Sequence, residues 1–416
     1  MRVILILFVL ISLLYSTDAT IEVIKKTDLL PSLAIEDSSE GSDEMFKTMY
    51  FKSIVADMNV LSIFNVDNSH HKNSYDASSV LVENKNVNYV VRYKTSISSN
   101  GTLNVEMKLL SKNGAVFIKN YSAKNIKTYI FVIHSMAYDI NKFLNQPSVE
   151  WIKRKVIFAK MTAPKKSEIF IADYTLTYRQ VVVSGGLNLF PKWANKEQTS
   201  FYFSSLNENK PTLKYVEMTT GKSRAVISSD GMMVCSDVSE DGKKLLLTMA
   251  QDGQPDIYLY GVESKKLDRL TKYKGIDVGG QFVGADGIVF VSDRLGYPNI
   301  FYKKNNLNGA EQVIFKGKSN SACSVFNKYI VYKARESSSE FLDNTFNLYL
   351  ASTDSDLAKR LTSVGVNEFP RFSVDGDAII FIRNFQGQSS IGVIRINHDT
   401  NFLFPLKDGK IQSMDW

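Results

Sequence analysis

The segments GLNLFPKW (Gly186–Trp193), GMMVCSDV (Gly231–Val238), GIDVGGQF (Gly275–Phe282), SNSACSVF (Ser319–Phe326), GVNEFPRF (Gly365–Phe372) and GKIQSMDW (Gly409–Trp416) share one form: a large or apolar residue seven positions after a small or turn residue. Their last residues, Trp193, Val238, Phe282, Phe326, Phe372 and Trp416, lie 45, 44, 44, 46 and 44 residues apart. A second landmark keeps the same period. Strand-like runs open at Ile169, Leu213, Ile257, Ile300, Leu348 and Ile391, at intervals of 44, 44, 43, 48 and 43. Between them stand the turns Asp241-Gly242, Asp286-Gly287 and Asp375-Gly376, each followed by an apolar run, which is a hairpin signal.

Each unit reads as four strands. In the third, strand one ends near Phe282, Ile288–Val291 is strand two, Ile300–Tyr302 opens strand three and Gln312–Ile314 lies in strand four. Four-stranded units at this period point to a β-propeller; a solenoid, the alternative, usually has shorter or helical repeats. The chain ends on a first strand, Trp416, while residues 156–184 supply strands two to four without a first. Joining the two predicts a closed ring of six blades without exposed sheet edges.

Outside the repeat, Asp43–Val60 and Ile126–Leu144 carry helical apolar stripes, Val87–Tyr93 and Val105–Leu110 read as strands, and Asn113-Gly114 turns into Ala115–Ile118. The expected protein is multidomain. A small N-terminal α/β (α+β) domain over residues 20–146 leads through a short linker at 146–152 to a six-bladed β-propeller over 151–416, closed by strands from both ends of the propeller region.

Before these domains, Met1-Arg2 and the apolar run Val3–Tyr15 precede small Thr17 and Ala19, spaced as the −3 and −1 residues of a cleavage site. Thirteen residues at ~1.5 Å each do not span ~30 Å of hydrocarbon. Residues 1–19 are therefore expected to be a cleaved signal peptide, and the mature chain an exported monomer that does not cross the membrane. The chain carries 50 Lys and Arg against 43 Asp and Glu, a net charge of +7, and these are scattered rather than blocked, which argues against nucleic acid.

Catalytic signatures are missing. There is no Gly-x-Ser-x-Gly elbow and no His-Glu-x-x-His, and Gly221-Lys222-Ser223 and Gly317-Lys318-Ser319 lack the upstream Gly of a P-loop. His70-His71 reads as a solvated loop, His134 as a packing residue and His398 as part of a turn. Cys235 and Cys323 occupy one repeat position in units separated by a whole unit, so two buried thiols are expected rather than a disulfide. No metal or cofactor is expected.

In a four-stranded blade, the loops joining strand two to three and those entering the next blade share one face. That face gathers Ser292-Asp293-Arg294-Leu295-Gly296-Tyr297-Pro298, residues 250–255, 333–344 and 384–389, with Arg294, Arg335 and Arg383 each just after a strand-two run. Arg and Tyr are frequent interface anchors. Ser292, Arg294, Tyr297, Arg335 and Arg383 are the candidate protein contacts; Asp293, Gly296 and Pro298 shape the loop.

The stretches IVFVSDRLGYPNIF (Ile288–Phe301) and EFPRFSVDG (Glu368–Gly376), and the order leader, small α/β domain, propeller ending on Trp, resemble the TolB family of the Tol–Pal system. The resemblance implies a non-enzymatic periplasmic adaptor. Its propeller would bind the peptidoglycan-associated lipoprotein Pal and its mature N-terminus, with Thr20, Ile21, Glu22 and Val23, would engage a TolA-like inner-membrane protein. Such a system maintains outer-membrane integrity and supports envelope constriction at division. The alternative is an exported propeller that binds a small ligand or serves as an accessory to an enzyme.

Overall fold

The computed structural model describes residues 20–23, 30–41, 43–77, 87–304, 309–335, 345–353 and 355–416. The expected signal peptide at 1–19, the arm residues 24–29 and the loop at 336–344 lie outside the described residues.

In the first domain, α1 (Glu44–Leu61) starts where the Asp43 carboxylate accepts the Met45 N–H, and it ends on Ser62 in the left-handed region. Helix α2 (Tyr129–Phe143) buries Ile130, Ile133, Met136, Ala137 and Ile140. The helices pack on one face of a sheet whose main strands run in the order Ser32–Asp37, Tyr89–Ile97, Leu103–Ser111, Gly114–Ala123. The hairpin thus extends beyond its expected core at both ends. Ser32–Asp37, absent from the sequence reading, is an inner strand that pairs in parallel with Tyr89–Ile97. Its acidic end looks like loop sequence. Yet Glu36 is fully buried, because the Arg92 guanidinium donates to it at 2.7 Å from the next strand. His70 lies in an exposed loop as expected, though its ring stacks on Phe51 and bonds Asp37, and His71 opens a short strand.

The rest of the chain is a β-propeller made of antiparallel four-strand units. Three are separate sheets with consecutive strands: 188–193 to 223–228, 233–238 to 267–269, and 277–283 to 311–312. Strands 318–326 to 355–360 and 366–372 to 400–405 form two further groups, joined by the single bridge Phe346↔Val366. In the remaining sheet the order is Arg179–Val183, Lys166–Ala172, Val156–Ala163, Lys410–Asp415, so a strand from the chain's end pairs with one that follows the first domain. Every first strand carries a register shift near its middle. Such bulges bend a strand and re-aim its side chains.

The expected linker is instead a packed turn. Trp151, in the 3₁₀ segment Glu150–Lys153, is fully buried, edge-on to Tyr174 and Trp416 with ring centroids 5.5 and 5.4 Å away. One apolar core runs through this point, from Tyr50 and Ile133 of the first domain to Phe402 and Phe404 of the propeller. Polar stitches cross it, two of them charged. Arg395, fully buried, donates from Nη1 to the carbonyls of Val60 (3.0 Å) and Leu61 (2.7 Å) at the end of α1, and from Nε to Asp377 (2.7 Å). His134 lies between Asp57 (2.7 Å from Nδ1) and Asp173 (3.3 Å from Nε2), while the Tyr174 hydroxyl donates to Asp57 at 2.5 Å.

Burial pulls the His134 imidazole down, but the Asp57 and Asp173 carboxylates outweigh it and raise it to about 9. An unfolded His titrates near ~6.5, so this pairing stabilises fully below that pH and is lost as pH rises through about 9. Urea unfolding should show wild-type stability falling between pH 6.5 and 9.5, with a shallower fall in His134→Gln. Parallel slopes would refute the assignment.

Candidate functional site

The first strands converge on the propeller axis. The penultimate residues of the repeated segments, Lys192, Asp237, Gln281, Val325, Arg371 and Asp415, line up in the order +, −, neutral, neutral, +, −. Lys192 Nζ lies 3.0 Å from Asp415 and 3.3 Å from Asp237, and Arg371 Nε lies 3.3 Å from Asp415. Each carboxylate also accepts the backbone N–H of the next unit's anchor: Asp237 from Phe282, and Asp415 from Trp193, both at 2.9 Å. Burial lowers the Lys192 ammonium, but Asp415 and Asp237 outweigh it and hold it above its ordinary value. This girdle went unrecognised in the sequence because spacing fixes the anchors, whereas its signal is the charge of the residue before each.

Beside the girdle, in the half of the channel where the first strands begin, lies a cavity of about 270 Å³. The fifth residues of the repeated segments, Phe190, Cys235, Gly279, Cys323, Phe369 and Ser413, all line it. Phe190, Gly279 and Phe369 have positive φ, so the bulges turn these residues toward the axis. Met232, 46% exposed, is at its rim. Both thiols are buried and free, as expected; burial pushes Cys323 up to about 12 and Cys235 higher still. They are protonated and unreactive at neutral pH. Among the described residues no group of three or more His, Cys, Asp or Glu could hold a metal ion.

Strand alternation places the strand-two-to-three loops on the face where this cavity begins. The first domain contacts the opposite side, through Tyr174 in the loop after Ala172 and Arg395 at the end of its strand. The loop residues divide by exposure. Tyr297 is 41% exposed. Arg294 donates through Nη2 to both Asp277 oxygens (3.1 Å each) and through Nε to Ser292 Oγ (2.9 Å), over the rings of Phe290 and Phe301. Ser292 is fully buried and Arg383, bonded to Asn367 at 3.1 Å, is 5% exposed. Ser292 and Arg383 are turned inward to hold the loops, unlike the outward contacts expected of them, while Arg294, tied to Asp277 and Ser292, keeps 22% of its side chain exposed. Arg335 is partly exposed. Asp293 accepts the Ile276 N–H at 2.8 Å, and Gly296 takes φ +87° two residues before Pro298. At the other predicted site, Thr20–Val23 forms a strand antiparallel to Thr400–Leu403.

Lys192→Met leaves Asp237 and Asp415 short of a cation and should cost about 3 kcal/mol in urea unfolding. Adding Asp237→Asn should recover part of it in a double-mutant cycle; strict additivity would show the girdle is not coupled.

A family model described as TolB beta propeller domain matches residues 150–416. The chain is 45% identical to the Tol-Pal system protein TolB of Wolinella succinogenes over 100% of both chains. It is 41% identical to that of Helicobacter hepaticus, over 99% of both. The crystal structure of TolB from Acinetobacter baumannii superposes with a TM-score of 0.75 at 18% identity, covering 95% of this chain and 99% of that one. No described helix is long and apolar enough to cross a membrane.

Proposed function

Because this chain belongs to the TolB family of the Tol–Pal system, we propose that it is a periplasmic, non-enzymatic adaptor whose propeller binds a Pal-like lipoprotein at the channel mouth. The observation that carries this reading is the apolar cavity on the axis, opposite the first domain, with the exposed Met232 at its rim and the exposed Tyr297 on a strand-two-to-three loop of the same face. A folded partner could seat one apolar side chain there and rest on the surrounding loops; buried aromatic and aliphatic anchors in such pockets dominate interface energies. The loops act as a scaffold held by the Arg294–Asp277 pair, with Tyr297 and Arg335 as contacts.

The same reading divides the chain into a domain over 20–146 and a propeller of six blades over 151–416. The pairing of Lys410–Asp415 with Val156–Ala163 supports ring closure. It assigns the mature N-terminus, Thr20–Val23, to a TolA-like partner. An adaptor joining the two would support outer-membrane integrity and envelope constriction at division.

Titration with the soluble domain of the cell's own peptidoglycan-associated lipoprotein tests the propeller site. Met232→Glu with Tyr297→Ala should weaken binding at least ~10-fold while the melting temperature is retained. Unchanged affinity would remove the channel mouth as the site. Deleting Thr20–Val23 should spare this contact and abolish capture of the TolA-like protein.

A further inference from the structure

The strand Gly114–Ala123 is the outer edge of the first domain's sheet, and no described strand pairs with its free side. Ten residues at ~3.3 Å each give an edge of roughly 33 Å with unpaired backbone donors and acceptors. Its two faces differ. Phe117 stacks on Phe143 of α2 at 5.0 Å, and Lys119 and the Tyr121 hydroxyl both bond Asp139, at 2.7 and 2.9 Å, so this face is tied down. On the other face Val116 and Ile118 are 40% and 58% exposed.

Charge identifies what suits this edge. Residues 107–138 hold five Lys and no Asp or Glu. Lys108 pairs with Asp76 and Lys119 with Asp139. Lys112, Lys124 and Lys127 are exposed near the two ends of the strand, and on the open face the described acids are Glu106, opposite Asn120 on the neighbouring strand, and Asp76, which Lys108 already pairs. We propose that this edge binds an extended acidic segment of a partner protein by strand addition. Such a segment would continue the backbone ladder, set apolar residues beside Val116 and Ile118, and place carboxylates near Lys112 and Lys124. A second copy of the chain fits poorly: antiparallel self-pairing centred on Ile118 sets Lys112 opposite Lys124, and like charges so placed repel. A lipid surface would leave the backbone groups of the edge without partners.

The test uses the full mature protein and two fluorescein-labelled decapeptides with a central Thr-Val repeat, one (the Val–Glu peptide) ending in two Glu at each end, the other (the Val–Lys peptide) ending in two Lys. The Val–Glu peptide should bind with an affinity that falls as salt rises, and should protect the amides of residues 114–123 from hydrogen exchange. Lys112→Glu with Lys124→Glu should weaken it ~10-fold or more at unchanged melting temperature. Equal binding of the Val–Lys peptide, protection elsewhere, or no effect of the charge reversal would overturn the proposal. So would protection of 114–123 that rises with protein concentration alone, which would identify a second copy as the occupant. The propeller titration above does not involve this edge, so the two readings fail independently.

Discussion

Cancellation of charge on the propeller axis is the constraint on which the architecture rests. First strands from separate sheets meet there, and their penultimate side chains are largely but not wholly withdrawn from water. A largely buried ion without a counter-ion is costly, so the channel tolerates Lys192 and Arg371 because Asp237 and Asp415 stand beside them. The carboxylates do more than neutralise. Each takes an N–H from the next unit's anchor, so the hydrogen bond that orders one unit is supplied by its neighbour. Asp415 does this from the strand Lys410–Asp415, which ties the late sequence to Trp193 and to strands that follow the first domain.

The propeller was legible because a period of about 44 residues repeats two independent landmarks, and each landmark answers to a physical requirement. The anchors pack between sheets, and the runs opening at Ile169 or Ile391 are buried strands. Three features were not legible for one shared reason: their sequence signals are polar and their burial is decided by distant partners. Ser32–Asp37 reads as loop because nothing local shows that Arg92 will neutralise Glu36. Arg294 reads as an exposed contact because Asp277, 17 residues earlier, is not visibly its partner. His134 was correctly placed in a helix interior, yet its carboxylates come from α1 and from the propeller. The residues 146–152 look like a linker by their Pro and Ser, but Trp151 makes them part of the core.

The interface between the domains behaves as core rather than as a contact between separate bodies. Apolar packing is continuous across it, and Arg395 and His134 place buried charge on both sides that only the assembled state satisfies. The strand Thr400–Pro405 sits where these features meet. Phe402 and Phe404 belong to the shared core, the Thr400 hydroxyl lies 2.8 Å from that of Ser62 at the end of α1, and the backbone from Thr400 to Leu403 pairs with Thr20–Val23. A single strand therefore carries the register of the arm on one side and the packing of the first domain on the other. Packed interiors transmit displacement because they have little free volume to absorb it. The arm's pairing and the seat of α1 are thus built on the two sides of one strand, so neither is set independently of the other.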